Sequence, residues 1–301
     1  PPEAGTEVFG IKDRYSEGSL PTWQPGFVTD MAMRKRTSGS DSYIYDRLRQ
    51  GKELAANATS TEATSSNTNF DYMTGWGDVT SASSGDLGWN WKRAPSYFDV
   101  VAYNGDATSS PNSRNINHNL GVAPEMMWIK CRTAAENWAV YHSGTGATKY
   151  LNLNNTAAAA TSANWWRNTA PTDTVFTIGH QDDVNLNGGT HIAYLFATLA
   201  GVSKVGSYTG NGSSQTIDCG FSSGARFVYV KRTDSSGDWY IWDTTRGIIA
   251  GNDPHLSLNT TAAQVTSDDS IDPASSGFAV NQVSATNINV SSATYLFYAI
   301  A

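Results

Sequence analysis

The chain has 301 residues, a formal net charge of −7 and a pI near 5.2. Only 16% of its residues are charged, against a typical ~25%, while 11% are aromatic, with 10 Trp and 14 Tyr. That composition, rich in Gly, Ser, Thr and Asn, excludes a disordered chain and fits many short strands joined by turns. The acidic balance argues against nucleic acid as a partner, and no apolar run reaches the length of a membrane-spanning helix.

In chain order, "PPEAGTEVFG" lacks the basic start and apolar core of a signal peptide. A start at Pro-Pro without Met reads as the ordered part of something longer. Residues 1–25 show no opening strand of the kind met later, so that strand is expected to differ or to lie upstream. From residue 30 a series is written three times. An apolar strand ends in Lys: "DMAMRK" at Lys35, "EMMWIK" at Lys130, "RFVYVK" at Lys231. After a polar turn comes an aromatic strand: "SYIYD", "NWAVYH", "WYIWD". A glycine (Gly51, Gly146, Gly247) precedes a Leu-x-x-Asn-x-Thr motif: Leu54, Asn57, Thr59; Leu151, Asn154, Thr156; Leu256, Asn259, Thr261.

Each series then runs through a short strand ("GWGDV", "VFTIG", "GFAVN") to a closing strand ("DLGWNWK", "HIAYLFATL", "TYLFYAIA"). The second and third also share an opening strand, with Tyr103 over Tyr208 and Gly105 over Gly210. In "RFVYVK", Phe227 and Tyr229 fall on one face, Val228 and Val230 on the other, which suits a central strand covered on both sides. The prediction is all-β: three tandem jelly-roll or lectin-like β-sandwiches over 1–94, 95–200 and 201–301, stiffly coupled and with very little helix. The Leu anchors are expected in the core. The alanine runs behind them are the one helix candidate, with Asn154 or Asn259 as N-cap.

The stretches "FDVVAYNG…INHNLGVAPEMMWIKCR…NWAVYH", "AYLFATLAGVSKVGSYTGNGSSQTIDCGF…ARFVYVKRTDSSGDWYIWDTTRG" and "LSLNTTAAQ…TYLFYAIA" resemble a repeated, uncharacterised domain of tailed-bacteriophage tail and tail-fibre proteins. The resemblance covers nearly the whole chain after about residue 25 and is looser in the first copy. It implies a virion component, made in the host cytoplasm and placed distally on the tail, built of lectin-like sandwiches. It supplies no catalytic residues.

The residues themselves give weak site signals. No phosphate loop or nucleophile elbow occurs. No acid recurs in all three copies apart from a loose match of Asp30 with Glu125, so no carboxylate pair for glycoside hydrolysis stands out. His142 stands where the other copies have Asp46 and Asp243, and reads as a surface substitution. Arg34, Lys35 and Arg36 read as a solvated face. Cys131 and Cys219 lack metal-ligand spacing and read as buried thiols.

"GHQDDVNLNGG" and "SDDSID" are the loops with Ca²⁺-compatible acids, but paired acids are common without metal; no metal and no cofactor is predicted. Glycan binding needs an exposed ring beside acids or amides. Trp165 and Trp166 in "ANWWRN", then Trp76, are the candidates, the competing reading being packing against a neighbouring domain or subunit. The Asn-x-Thr triplets match a glycosylation sequon, but their recurrence points to a turn.

These readings lead to a structural and adhesive tail or fibre protein that is not an enzyme. Its expected partners are other virion proteins, host surface glycan and further copies of itself in a homotrimer, with no nucleic acid and no membrane insertion. The trimer follows from the need for stability without disulfides and from the common use of three chains in fibres; the aromatics, more than three small cores easily bury, are expected in part at chain or domain contacts. A tail depolymerase and a head decoration or fibre protein are the alternatives.

Overall fold

Alternation along the strands decides the layout. Phe227 and Tyr229 point one way, Val228 and Val230 the other, and all four are buried. Met126 and Trp128 oppose Met127 and Ile129 in the same manner, again all buried. Strands apolar on both faces need cover on both sides, and the computed structural model provides it with antiparallel sheets in layers. It describes every residue except 14–19, 66–67, 78–84 and 109–111. The chain is all-β, as its composition predicts.

The first sheet joins β1 (Phe9–Asp13), β2 (Met31–Arg36), β3 (Tyr43–Asp46), β4 (Lys52–Ala55), β5 (Ala63–Thr64) and β6 (Asp86–Trp91) in the order β1-β6-β2-β3-β4-β5. The next strands are β7 (Phe98–Asn104), β8 (Arg114–Asn117), β9 (Met126–Cys131), β10 (Trp138–His142), β11 (Lys149–Asn152), β12 (Ala160–Thr161), β13 (Val175–Ile178) and β14 (Thr190–Phe196). They give a second sheet, β7-β14-β9-β10-β11-β12, and a pair, β8-β13. Last come β15 (Ser203–Thr209), β16 (Gln215–Asp218), β17 (Phe227–Arg232), β18 (Trp239–Asp243), β19 (Leu256–Ser257), β20 (Ile271–Ala274), β21 (Gly277–Val280) and β22 (Thr294–Ile300). They form a third sheet, β15-β22-β17-β18-β19, and an outer sheet, β16-β21-β20.

The three large sheets thus share one strand order. The opening strand not visible in residues 1–25 is β1: Phe9 faces Trp91 as Phe98 faces Phe196 and Ser203 faces Ile300. It needs no upstream partner. Of the short strand expected at 75–79, residues 78 and 79 lie outside the described residues.

The expectation of one core per sandwich needs correction. Each large sheet does have its own outer layer. Trp23, Phe70 and Trp76 cover the first, β8, β13 and two one-turn helices the second, and β16, β20 and β21 the third. The inner faces, however, meet in one cluster, to which Trp89, Trp91, Trp128, Trp138, Trp239 and Tyr298 all contribute. Leu54, Leu151 and Leu256 lie in this shared core, each at most 2% exposed.

The motif after each Leu now has a physical account. Asn57 Oδ1 accepts the amide of Ser42, Asn154 Oδ1 that of Trp138, and Asn259 Oδ1 that of Trp239. The three Nδ2 groups donate to Asp41, Asn137 and Asp238. Each Asn therefore clamps the start of the neighbouring aromatic strand and caps no helix. The alanine run of the second copy leads instead into β12, and the helix that follows (α1, Ala163–Trp166) is capped by Ser162.

The loop behind each clamp reaches the next sheet. Glu62, Ala159 and Gln264, each eight residues past its Leu, donate backbone N–H to the carbonyls of Arg132, Thr233 and Thr37. First touches second, second touches third, and third touches first. The ends of the chain also meet. Ala301 N donates to Val202 O as Lys92 N does to Val8 O and Ala197 N to Tyr97 O. Gly5 lies so close to Ala301 O that an added Cβ would overlap it.

Leu151→Ala should cost about 2–5 kcal/mol in urea unfolding; a loss under about 1 kcal/mol would remove Leu151 from the core. A circular permutant joining Ala301 to Ala4 and opened between Thr198 and Leu199 should keep the parent's near-UV circular dichroism, because Gly5, Ala94 and Leu199 make the same turn bond to Val8, Tyr97 and Val202. Collapse of that spectrum would refute the equivalence of the three links.

Candidate functional site

The residues nominated for glycan stacking are not on the surface. Trp165 and Trp166 sit on α1, a single turn, not an extended segment, so adjacent rings need not face opposite ways. Trp165 is 8% exposed, stacks on Tyr150 at 3.5 Å and donates Nε1–H to Asp183. Trp166 is 1% exposed and donates to Lys149 O. Both fill the outer core of their own sheet. Trp76 lies between Trp23 and Phe70 and donates to Asn90 Oδ1 at 2.6 Å. None of the three offers a free ring face.

The acidic loops are occupied with protein donors. In α2 (Asp182–Asn185), Asp183 accepts from the Asn137 amide and from Trp165. Asp269 and Asp272 both accept from Asn281 Nδ2, and Asp268 accepts from Ser270. Among the described residues, no three His, Cys, Asp or Glu side chains converge as metal ligands would. Cys131 and Cys219 are buried free thiols, and burial pushes the Cys219 thiol up to about 12.

The basic triplet is not a solvated face. Lys35 points inward and is fully buried, while Arg34 and Arg36 pair with Asp86. Lys130 and Lys231 are buried at the equivalent positions. Lys35 Nζ donates to Ser40 O and Thr260 O, and Lys231 Nζ to Gly237 O and Thr156 O. Each of these two fastens its own turn to the loop of another sheet. Lys130 holds its own turn, at Cys131 O and Ala134 O. Desolvation lowers all three ammonium groups to about 8, which still leaves them mostly charged at neutral pH.

A second set of bonds links the sheets. Tyr194 OH donates to Asp46 Oδ2 at 2.6 Å, and Trp89 Nε1 to Asp243 Oδ2 at 3.2 Å. Asp46 and Asp243 are held by Arg49 and Arg246 three residues on. In the second sheet the corresponding pair is His142 and Thr145. His142 is 1% exposed, which corrects its reading as a surface substitution. Its Nδ1 accepts from the Gly144 amide, so the ring proton belongs on Nε2, which faces Phe297 O. A neutral imidazole there requires no arginine.

One open recess is lined, apart from Tyr208, by residues that the sequence pattern did not single out. It lies between β15 and β16 and is lined by Lys204, Gly206, Tyr208, Gln215, Asp218 and Phe297, among others. The available signal was the Gly206 position, where the second copy has Val101.

The domain of unknown function DUF7483 matches residues 21–301, and the chain belongs to that family. No curated protein matches the chain.

Burial pushes His142 and His191 from 6.5 down to about 4. Between those values the unfolded chain binds protons that the folded chain refuses, so stability falls as pH drops from 6.5 toward 4. Asp253 acts in the opposite sense: burial raises it from 3.8 to about 7, so its contribution is lost as pH rises through that range. A His142→Gln variant compared with the parent isolates one group. Its stability relative to the parent should improve by up to about 1.4 kcal/mol per pH unit on acidification. A constant difference from pH 7 to 4.5 would mean that His142 does not change protonation on unfolding.

Proposed function

We propose that this member of the DUF7483 family is a structural and adhesive component of a tailed-phage virion, carried on the tail or a tail fibre and contributing to attachment at the host surface. The family resemblance stated above motivates the reading. The observation that best supports it is mechanical: three all-β sheets locked around one core by recurring buried contacts make a stiff body. Such a body suits a part that works outside the cell without disulfides. Its partners are other virion proteins and host surface glycan.

The homotrimer proposal loses one premise. The Trp residues expected in part at chain or domain contacts are buried within the chain, Trp89, Trp138 and Trp239 in the shared centre among them. What remains is the general preference of fibres for three chains.

Immunogold labelling with antibodies against the purified chain should decorate the tail or fibres of intact virions, and the same antibodies should slow adsorption to host cells. Virions free of label would overturn the reading, and label confined to the head would favour a decoration protein. Light scattering on the purified chain tests the trimer, which a monomer at micromolar concentration would reject.

A further inference from the structure

β15 is the edge strand of the third sheet, and β16 is the edge strand of the outer sheet that covers it. The recess between them measures about 450 Å³, inside the roughly 300–1,000 Å³ range of small-molecule sites. One side is aromatic. Tyr208 is half-buried and stacks on Tyr295 at 4.9 Å with an interplanar angle of 15°. Its hydroxyl donates to Ile288 O at 2.6 Å, which fixes the ring. Phe297 runs beneath Gly206 so closely that a Cβ there would meet its ring at 2.4 Å. In the second sheet the cross-strand pair at this place is Val101 and Ala193, with no ring under a glycine.

The other side is polar and has capacity to spare. Asp218 is exposed and uses Oδ1 on the Gly220 amide. Gln215, which lines the recess, commits Nε2 to Thr209 O and Asn289 Oδ1 and keeps its carbonyl oxygen as an acceptor. Thr216 is exposed, and Lys204 is half-buried at the rim. A ring face beside a carboxylate, an amide oxygen, a hydroxyl and an ammonium suits a ligand with an apolar face and many hydroxyls. One lysine opposite one aspartate does not suit a phosphate group, which favours clustered cations.

We propose that this recess is a saccharide-binding site, with Tyr208 as the stacking ring and Lys204 and Asp218 as hydroxyl partners. The proposal rests on the adhesive part of the function above and deepens it by giving that part a place. Saturation-transfer NMR on the full chain, with glucose, galactose, N-acetylglucosamine and glucuronic acid as probes, tests it. Transfer to at least one sugar is expected. Titration of that sugar should show binding weakened about tenfold or more, ~1.4 kcal/mol, both in Tyr208→Ala and in a Lys204→Ala, Asp218→Ala double variant. The double variant changes only rim side chains and guards against a folding defect in the first. Absence of transfer to every sugar, or parent-like binding by both variants, would overturn the site. Virion labelling reports separately on where the chain resides.

Discussion

The inner faces of the three sheets depend on one another for burial. Met33, Trp128 and Tyr229 occupy the same place on their respective sheets, and all are excluded from water only because the other sheets close over them. The outer layers do not reach these faces. The inter-sheet bonds have a different task. At about 1 kcal/mol each, the three loop-to-turn amide bonds together contribute only a few kcal/mol. A single buried leucine can be worth as much. The apolar centre therefore supplies cohesion, and the amide bonds fix the orientation in which the sheets meet. The buried lysines belong with the second group. An ammonium ion without a carboxylate partner is costly to bury, and Lys35 and Lys231 each join two chain segments that apolar contact alone would not align.

Much of this was legible in the sequence. Strands with apolar residues on both faces, the recurring Leu, Lys and Asn positions and the scarcity of helix signals all correspond to local geometry. What periodicity cannot specify is which apolar face meets which. "RFVYVK" has two such faces, and nothing in the pattern says that Phe227 and Tyr229 look to the shared centre while Val228 and Val230 look to a private layer. Lys231 shares the parity of Phe227, so its burial follows from that same unresolved choice. The burial of Trp165 and Trp166 is hidden from periodicity for a related reason: four residues capped by Ser162 are too short a helix to leave a periodic signature. The opening strand "FGIKD" escaped notice because it lacks the Tyr-x-Gly ending of its counterparts, although its pairing with β6 is the same.

Departures among the three sheets are as informative as their agreement. Two positions around the centre carry a buried Asp–Arg pair and the third carries a neutral histidine. Such a change is tolerated only where both charges vanish together, because a lone buried carboxylate or guanidinium would be strongly destabilising. Gly206 with Phe297 replaces Val101 with Ala193 on the same logic of paired change. There, moving bulk from one strand to its neighbour leaves a ring at the bottom of a gap.

The meeting of Gly5 with Ala301 carries a consequence for how such a chain could have grown. Repeat proteins that stack in a line leave both ends open, and a further unit adds at little cost. Here the last sheet already touches the first, and the loop of each sheet finds its acceptor on another. A fourth unit would have to break an existing junction before it could make its own. The junctions between the sheets thus resist insertion of a further sheet among them.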